Sequence, residues 1–124
     1  MEKWIYLIVG GIVGTVSRYV MAGAVAQRMG AGFPWGTVAV NLTGCLVIGF
    51  LDVLFEKKFM LSPNMRILLM TGFCGAFTTF STLILETSNL LRENEFLYAF
   101  GNVMISFGIG FAAFKLGAVI AEFI

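Results

Sequence analysis

The chain has no histidine, only two cysteines and two prolines, and charges on just 12% of its 124 residues. Without histidine the commonest metal ligand and the usual proton shuttle are missing, and no Ser–His–Asp triad can be assembled. Cys45 and Cys74 both fall inside apolar stretches, where a thiol behaves as a small hydrophobe, so neither a disulfide nor a metal site is expected of them. No phosphate-cradling glycine loop follows any segment. The few carboxylates are scattered, which gives proton-relay pumping little support. A net charge of +1 lacks the basic footprint of a nucleic-acid-binding protein. No catalytic constellation is visible, and the chain is not expected to be an enzyme.

What is present is apolar surface. The chain is 59% hydrophobic with a mean hydropathy of +0.93, against about 45–50% apolar in ordinary soluble domains. Four segments reach the length of about 20 residues that a bilayer crossing needs: about Trp4 to Ala26, Trp35 to Phe55, Pro63 to Leu91 and Phe96 to Ala121. The first is too long for a signal peptide, and its neighbours look equally integral. The expectation is an all-α, multi-pass membrane protein, with residues 1–124 forming one domain of four transmembrane helices. Ser62 is a plausible N-cap with Pro63 at the first helical position. The connections are too short to fold separately, which places function within the membrane.

The third segment departs from a simple span. Thr71-Gly-Phe-Cys-Gly-Ala-Phe-Thr-Thr-Phe-Ser-Thr82 puts two glycines, five hydroxyls and three phenylalanines at its middle. Such breaks are tolerated at membrane depth where they line a cavity and hold an ion or substrate. A segment of about 29 residues is also too long for one upright helix, and two halves of about 12 residues would each cover roughly 18 Å. A break near Gly75–Thr79 is expected, the alternative being one tilted helix.

Other polar groups sit in the spans. Gly10 and Gly14 form a small-xxx-small face for helix packing. Arg18 either snorkels to the headgroups or draws anions to a vestibule. Asn41 either bonds a neighbouring helix or donates to an anion, and Thr37, four residues earlier, shares its face. Phe77 and Phe80 are either packing residues or electropositive ring edges aimed at an anion. Asn102 and Ser106 make a second polar stripe on the fourth span, and Glu86 is read as paired with an arginine from another helix. The termini share a side with the 56–66 loop, and cations on the two sides stand at about five to three. That bias favours cytoplasmic termini only weakly and is compatible with insertion in both orientations.

Taken together, Gly11-Ile-Val-Gly14 with Arg18, Pro34-Trp-Gly-Thr-Val-Ala-Val-Asn41-Leu-Thr-Gly44 and the Thr71–Thr82 motif followed by Glu86 resemble the Fluc (CrcB) family of bacterial fluoride channels, over nearly the whole length. The resemblance implies an antiparallel dual-topology dimer in the bacterial plasma membrane, with two fluoride pores and a structural Na⁺ at its centre. It implies that the backbone carbonyls of Gly75 and Thr78 hold the Na⁺, that Asn41 donates to fluoride, and that Phe80 presents a ring edge to the pore. Ser81 and Thr82 would form a polar track, Arg18 would stand near the vestibule, and Ser106 would match a pore-lining position. Asn102 falls where some members carry an aromatic hydroxyl. One departure stands out: Leu83 and Ile84 occupy positions where the family motif usually continues with phenylalanine and serine. Either one phenylalanine per pore suffices, or Phe77 helps, or this is the pore-impaired partner in a heterodimer. A small multidrug-type exporter, the other four-span reading, would need a carboxylate in the first span, and residues 4–26 contain none.

Overall fold

The computed structural model describes residues 1–124 as helices joined by short turns, without a strand. Helix α1 is Glu2–Met29 and α2 is Trp35–Glu56. The third span, Pro63–Arg92, is divided into α3 (residues 63–77) and α4 (Phe80–Arg92), and α5 is Phe96–Glu122. All four spans are long and apolar enough to cross a membrane. At 1.5 Å per residue the 22 residues of α2 cover about 33 Å, close to the hydrocarbon thickness of roughly 30 Å. Ser62 caps α3 as expected, its Oγ accepting from the Met65 N–H at 3.2 Å behind Pro63.

Helix α2 is the centre of the fold and supplies Val38, Val40, Leu51 and Val53 to the core. It is joined to α5 by two glycines used in opposite senses. A Cβ on Gly49 would overlap the Phe114 carbonyl oxygen, and one on Gly117 would overlap the Leu46 carbonyl oxygen. The same logic joins α1 to α3, where Gly10 lies on the Leu68 carbonyl and Gly14 on that of Phe73. Lipid tails are as apolar as leucine, so close backbone approach, not water exclusion, holds such helices together. Gly10 and Gly14 are therefore the packing seam, whereas Gly11 faces open space. The outer face of α1 exposes Ile5, Ile8, Ile12 and Val16, as a lipid-facing helix should.

The two ends of the bundle differ. At the end carrying the termini, Lys57 Nζ meets Glu122 Oε1 at 2.8 Å, Arg66 lies 3.8 Å from Glu56, and Asn64 donates to Glu2 at 3.4 Å. At the opposite end, Phe33 packs on Trp35 and Tyr98 with ring centroids 4.7 and 5.7 Å apart, in the manner of an interfacial aromatic belt. Two stretches are wound more widely than an α-helix, Ile67–Cys74 in α3 and Ile105–Ile109 in α5. Such i→i+5 turns concentrate at functional sites, and both lie beside the break in the third span.

Candidate functional site

The helical path stops at Thr78 and Thr79, which adopt extended backbone (φ −90°, ψ 159° and φ −151°, ψ 116°). Their hydroxyls close one helix and open the next. Thr78 Oγ1 donates to the Cys74 carbonyl at 3.0 Å, a local bond that competes with helix continuation. Thr79 is the N-cap of α4, its Oγ1 accepting from the Thr82 N–H at 3.3 Å and donating to Thr82 Oγ1 at 3.0 Å. Asn41, reaching across from α2, completes the break. Its Oδ1 accepts from the Thr79 N–H at 2.8 Å and its Nδ2 donates to the Thr79 carbonyl at 3.1 Å.

The break frees backbone carbonyls from helical pairing. In a continuous helix the carbonyls of residues 75–78 would accept from the amides of residues 79–82. The Thr79 amide is diverted to Asn41 and the Thr82 amide to the Thr79 hydroxyl. The Gly75 and Thr78 carbonyls thereby lose their helical partners, while that of Ala76 is taken by Arg18 Nε at 3.0 Å. Arg18 is thus neither a free headgroup anchor nor paired with Glu86: it bridges α1 to the break.

Two cavities flank this junction. One is a groove of about 500 Å³ among α2, α3, α4 and α5, with Asn41, Gly75, Thr78, Phe80, Leu83 and Ser106 in its walls. The rest of its lining is largely apolar and includes Phe107, Phe111 and Phe114. Phe80 is well exposed and meets Phe107 edge to face, 6.3 Å between centroids at 81°. The Ser106 Oγ is buried in the groove wall without a hydrogen-bond partner. The second cavity, of about 530 Å³, is a vestibule among α1, α2 and α4 that includes Arg18, Thr37, Thr82 and Glu86. Thr79 lines both, so the Asn41–Thr79 bridge is the wall between them.

The expected residues divide accordingly. Asn41, Phe80, Ser106, Gly75 and Thr78 gather on the groove, and Arg18, Thr37 and Thr82 on the vestibule. Ser81 is exposed beside the break, 3.5 Å from the Thr79 hydroxyl. Phe77 lies apart, only 4% exposed and stacked on Phe73 with centroids 5.3 Å apart; it is a core residue of the α2–α3 contact. Leu83 is buried within the groove wall, and Ile84 faces outward. The arginine partner expected for Glu86 is not there: one carboxylate oxygen is buried without a partner. Asn102 is fully buried, and its Nδ2 donates to Thr87 Oγ1 at 3.0 Å, which donates to the Leu83 carbonyl at 2.8 Å. Sequence reasoning missed Thr79 as a cap and Thr87 as a link, although threonine is a favoured N-cap residue whose oxygen accepts from the N–H two or three residues on.

The profile of the family described as CrcB-like protein, Camphor Resistance (CrcB), matches residues 5–118. The chain belongs to the CrcB family. Its members are channels, not enzymes. The chain is 42% identical over 123 residues to a fluoride-specific ion channel FluC of Desulforapulum autotrophicum, covering 99% of this chain and 98% of that one. It is 45% identical over 122 residues to the FluC of Chlorobaculum tepidum, covering 98% and 96%. With the FluC of Maridesulfovibrio salexigens it shares 38% identity over 124 residues, covering 100% and 98%. As a CrcB protein with four spans, the chain is a multi-pass membrane protein.

Proposed function

We propose that this chain forms a passive, fluoride-selective channel that exports F⁻ across the bacterial plasma membrane, working as an antiparallel homodimer. The observation that carries the reading is the Asn41–Thr79 bridge, where amide and hydroxyl donors gather at a helix break between two cavities. The full-length similarity to relatives named fluoride-specific ion channels supports it. Fluoride is small and strongly hydrated, so a pore must replace its water with donors yet let it leave. An Asn amide carries two N–H groups, and Asn41 gives one to Thr79, leaving the other for the ion. The hydroxyls of Ser81, Thr82 and Ser106 continue the donor track, Phe80 adds a ring edge, and Arg18 and Thr37 set the polarity of the vestibule. Rejection of larger halides would fall to the phenylalanines that line the path, Phe80 among them. Fluoride that enters as HF ionises at cytoplasmic pH, so a passive path drains it without a pump.

The residues at the break also fit a bound Na⁺. The Gly75 and Thr78 carbonyls are uncharged oxygen donors freed from helical pairing, and such unwound carbonyls suit Na⁺. When bound there, Na⁺ would supply positive potential at the membrane midplane. Two antiparallel copies would bring two such carbonyl pairs together at the dimer centre. Replacing Asn41 by Asp tests the reading: the carboxylate repels both the Thr79 carbonyl and the anion, and fluoride flux should be lost. Unimpaired flux in Asn41→Asp would remove Asn41 from the mechanism.

A further inference from the structure

We propose that Lys115 is a fixed cation at the mouth of the groove on the side of the termini, where it gathers fluoride for the path; the inference rests on the channel reading above. No side chain lining the groove is charged. Arg18 stands on the vestibule instead, with its Nε held by the Ala76 carbonyl. An anion leaving water for the groove therefore meets no positive charge in its walls. Helix α5 supplies one beside them. Phe107, Phe111 and Lys115 recur at intervals of one turn and share a face of the helix, and both phenylalanines line the groove. Lys115 is exposed, and its Nζ lies 5.7 Å from the centroid of the Phe111 ring.

A lysine near the end of a transmembrane helix ordinarily snorkels to the headgroups. Lys115 sits about 10 Å inside the Glu122 end of α5, at 1.5 Å per residue. Phe111 lies one turn further from that end, so the ammonium turns toward the groove and away from the nearer headgroups. The carboxylates at that end face other cations. Glu122 pairs with Lys57, Glu56 with Arg66, and Asp52 acts on Lys57. Lys115 belongs to neither ion pair. An unpaired ammonium at membrane depth is costly unless it meets water or an anion, and the contact with Phe111 sets that meeting at the groove. The ring holds the ammonium by cation–π attraction without neutralising it, so its charge still acts on a passing anion. A fixed charge beside low-dielectric walls raises the local concentration of counter-ions, and the gain fades as salt screens it.

The test compares fluoride efflux from liposomes holding the native chain or Lys115→Gln. A non-permeant salt is raised from about 10 mM to about 1 M, which shortens the Debye length from about 30 to about 3 Å. Lys115→Gln should slow efflux about ten-fold in dilute salt, and the gap should close in concentrated salt. Lys115→Arg should keep native efflux. Lys115→Cys changes the charge on protein already folded in the bilayer: a cationic methanethiosulfonate should restore efflux, and an anionic one should slow it further. The native chain, with free Cys45 and Cys74, controls for the reagents. Three results would each overturn the proposal while native efflux persists. They are native efflux in Lys115→Gln, a deficit unchanged at high salt, which marks a structural role, and a position 115 that neither reagent modifies, which marks a lipid-facing one. No efflux from the native chain would instead sink the channel reading, and this role with it.

Discussion

Asn41 places both ends of its amide on the backbone of a single residue, Thr79, and so holds open a break that would otherwise close into a helix. Asn41→Ala removes both bonds and leaves a half-buried carbonyl and amide unsatisfied, which costs about 1–3 kcal/mol for each such group. The expected outcome is a lower melting temperature in detergent as well as lost flux. Leu83 is a separate matter. It is already buried against the groove wall, so Leu83→Phe should leave fluoride flux within a few-fold of the native value; a large gain would mark the native subunit as impaired. The sequence made the Asn41 position conspicuous, because an amide in a bilayer must find a partner, but the bonding and donating alternatives are indistinguishable by residue type. Phe77 and Phe80 show the same limit. Both belong to one aromatic, hydroxyl-rich motif, yet the break turns Phe80 to the groove and leaves Phe77 in the core.

Among whole helices, close backbone contact decides stability. Gly49→Ala or Gly117→Ala would push a methyl into a facing carbonyl, and overpacking of this kind typically costs about 1–3 kcal/mol. Gly11→Ala meets open space and should be neutral or stabilising by up to about 1 kcal/mol through helix propensity. Thermal unfolding of the three variants in detergent checks the contrast; equal behaviour would contradict the seams. At the terminal end, the Glu122 carboxylate accepts from Lys57 and raises the pKa of that ammonium above its ordinary value. A raised lysine pKa favours the folded form below the unfolded value, and this contribution disappears as pH rises through the folded one. Melting temperatures of the native chain and Lys57→Gln should therefore differ most at neutral pH and converge in strong alkali. The four spans and the break were readable because hydropathy and the Gly/Thr cluster act locally. The wide turns at Ile67–Cys74 and Ile105–Ile109 were not, since they arise from how neighbouring helices pack.

At the scale of the molecule, one chain supplies a split span, a groove beside it and a vestibule behind it, with the Asn41–Thr79 bridge between the two cavities. Two freed carbonyls per chain are too few to enclose a cation, which is why the proposed Na⁺ site needs a second copy. Exchanging Na⁺ for N-methylglucamine should lower the melting temperature of the proposed dimer and slow flux, while Li⁺ should substitute only in part. The weak cation bias of about five to three is compatible with insertion in both orientations, but charge counts act on insertion and carry no information about which faces meet. The proposed pairing of two copies is therefore the feature least legible in a single sequence. Fluoride efflux from liposomes holding only this purified chain, read with a fluoride electrode and with chloride as control, tests the central claim most directly. Rapid fluoride efflux without chloride efflux is the predicted result. No fluoride efflux from well-folded protein would contradict a self-sufficient homodimeric channel.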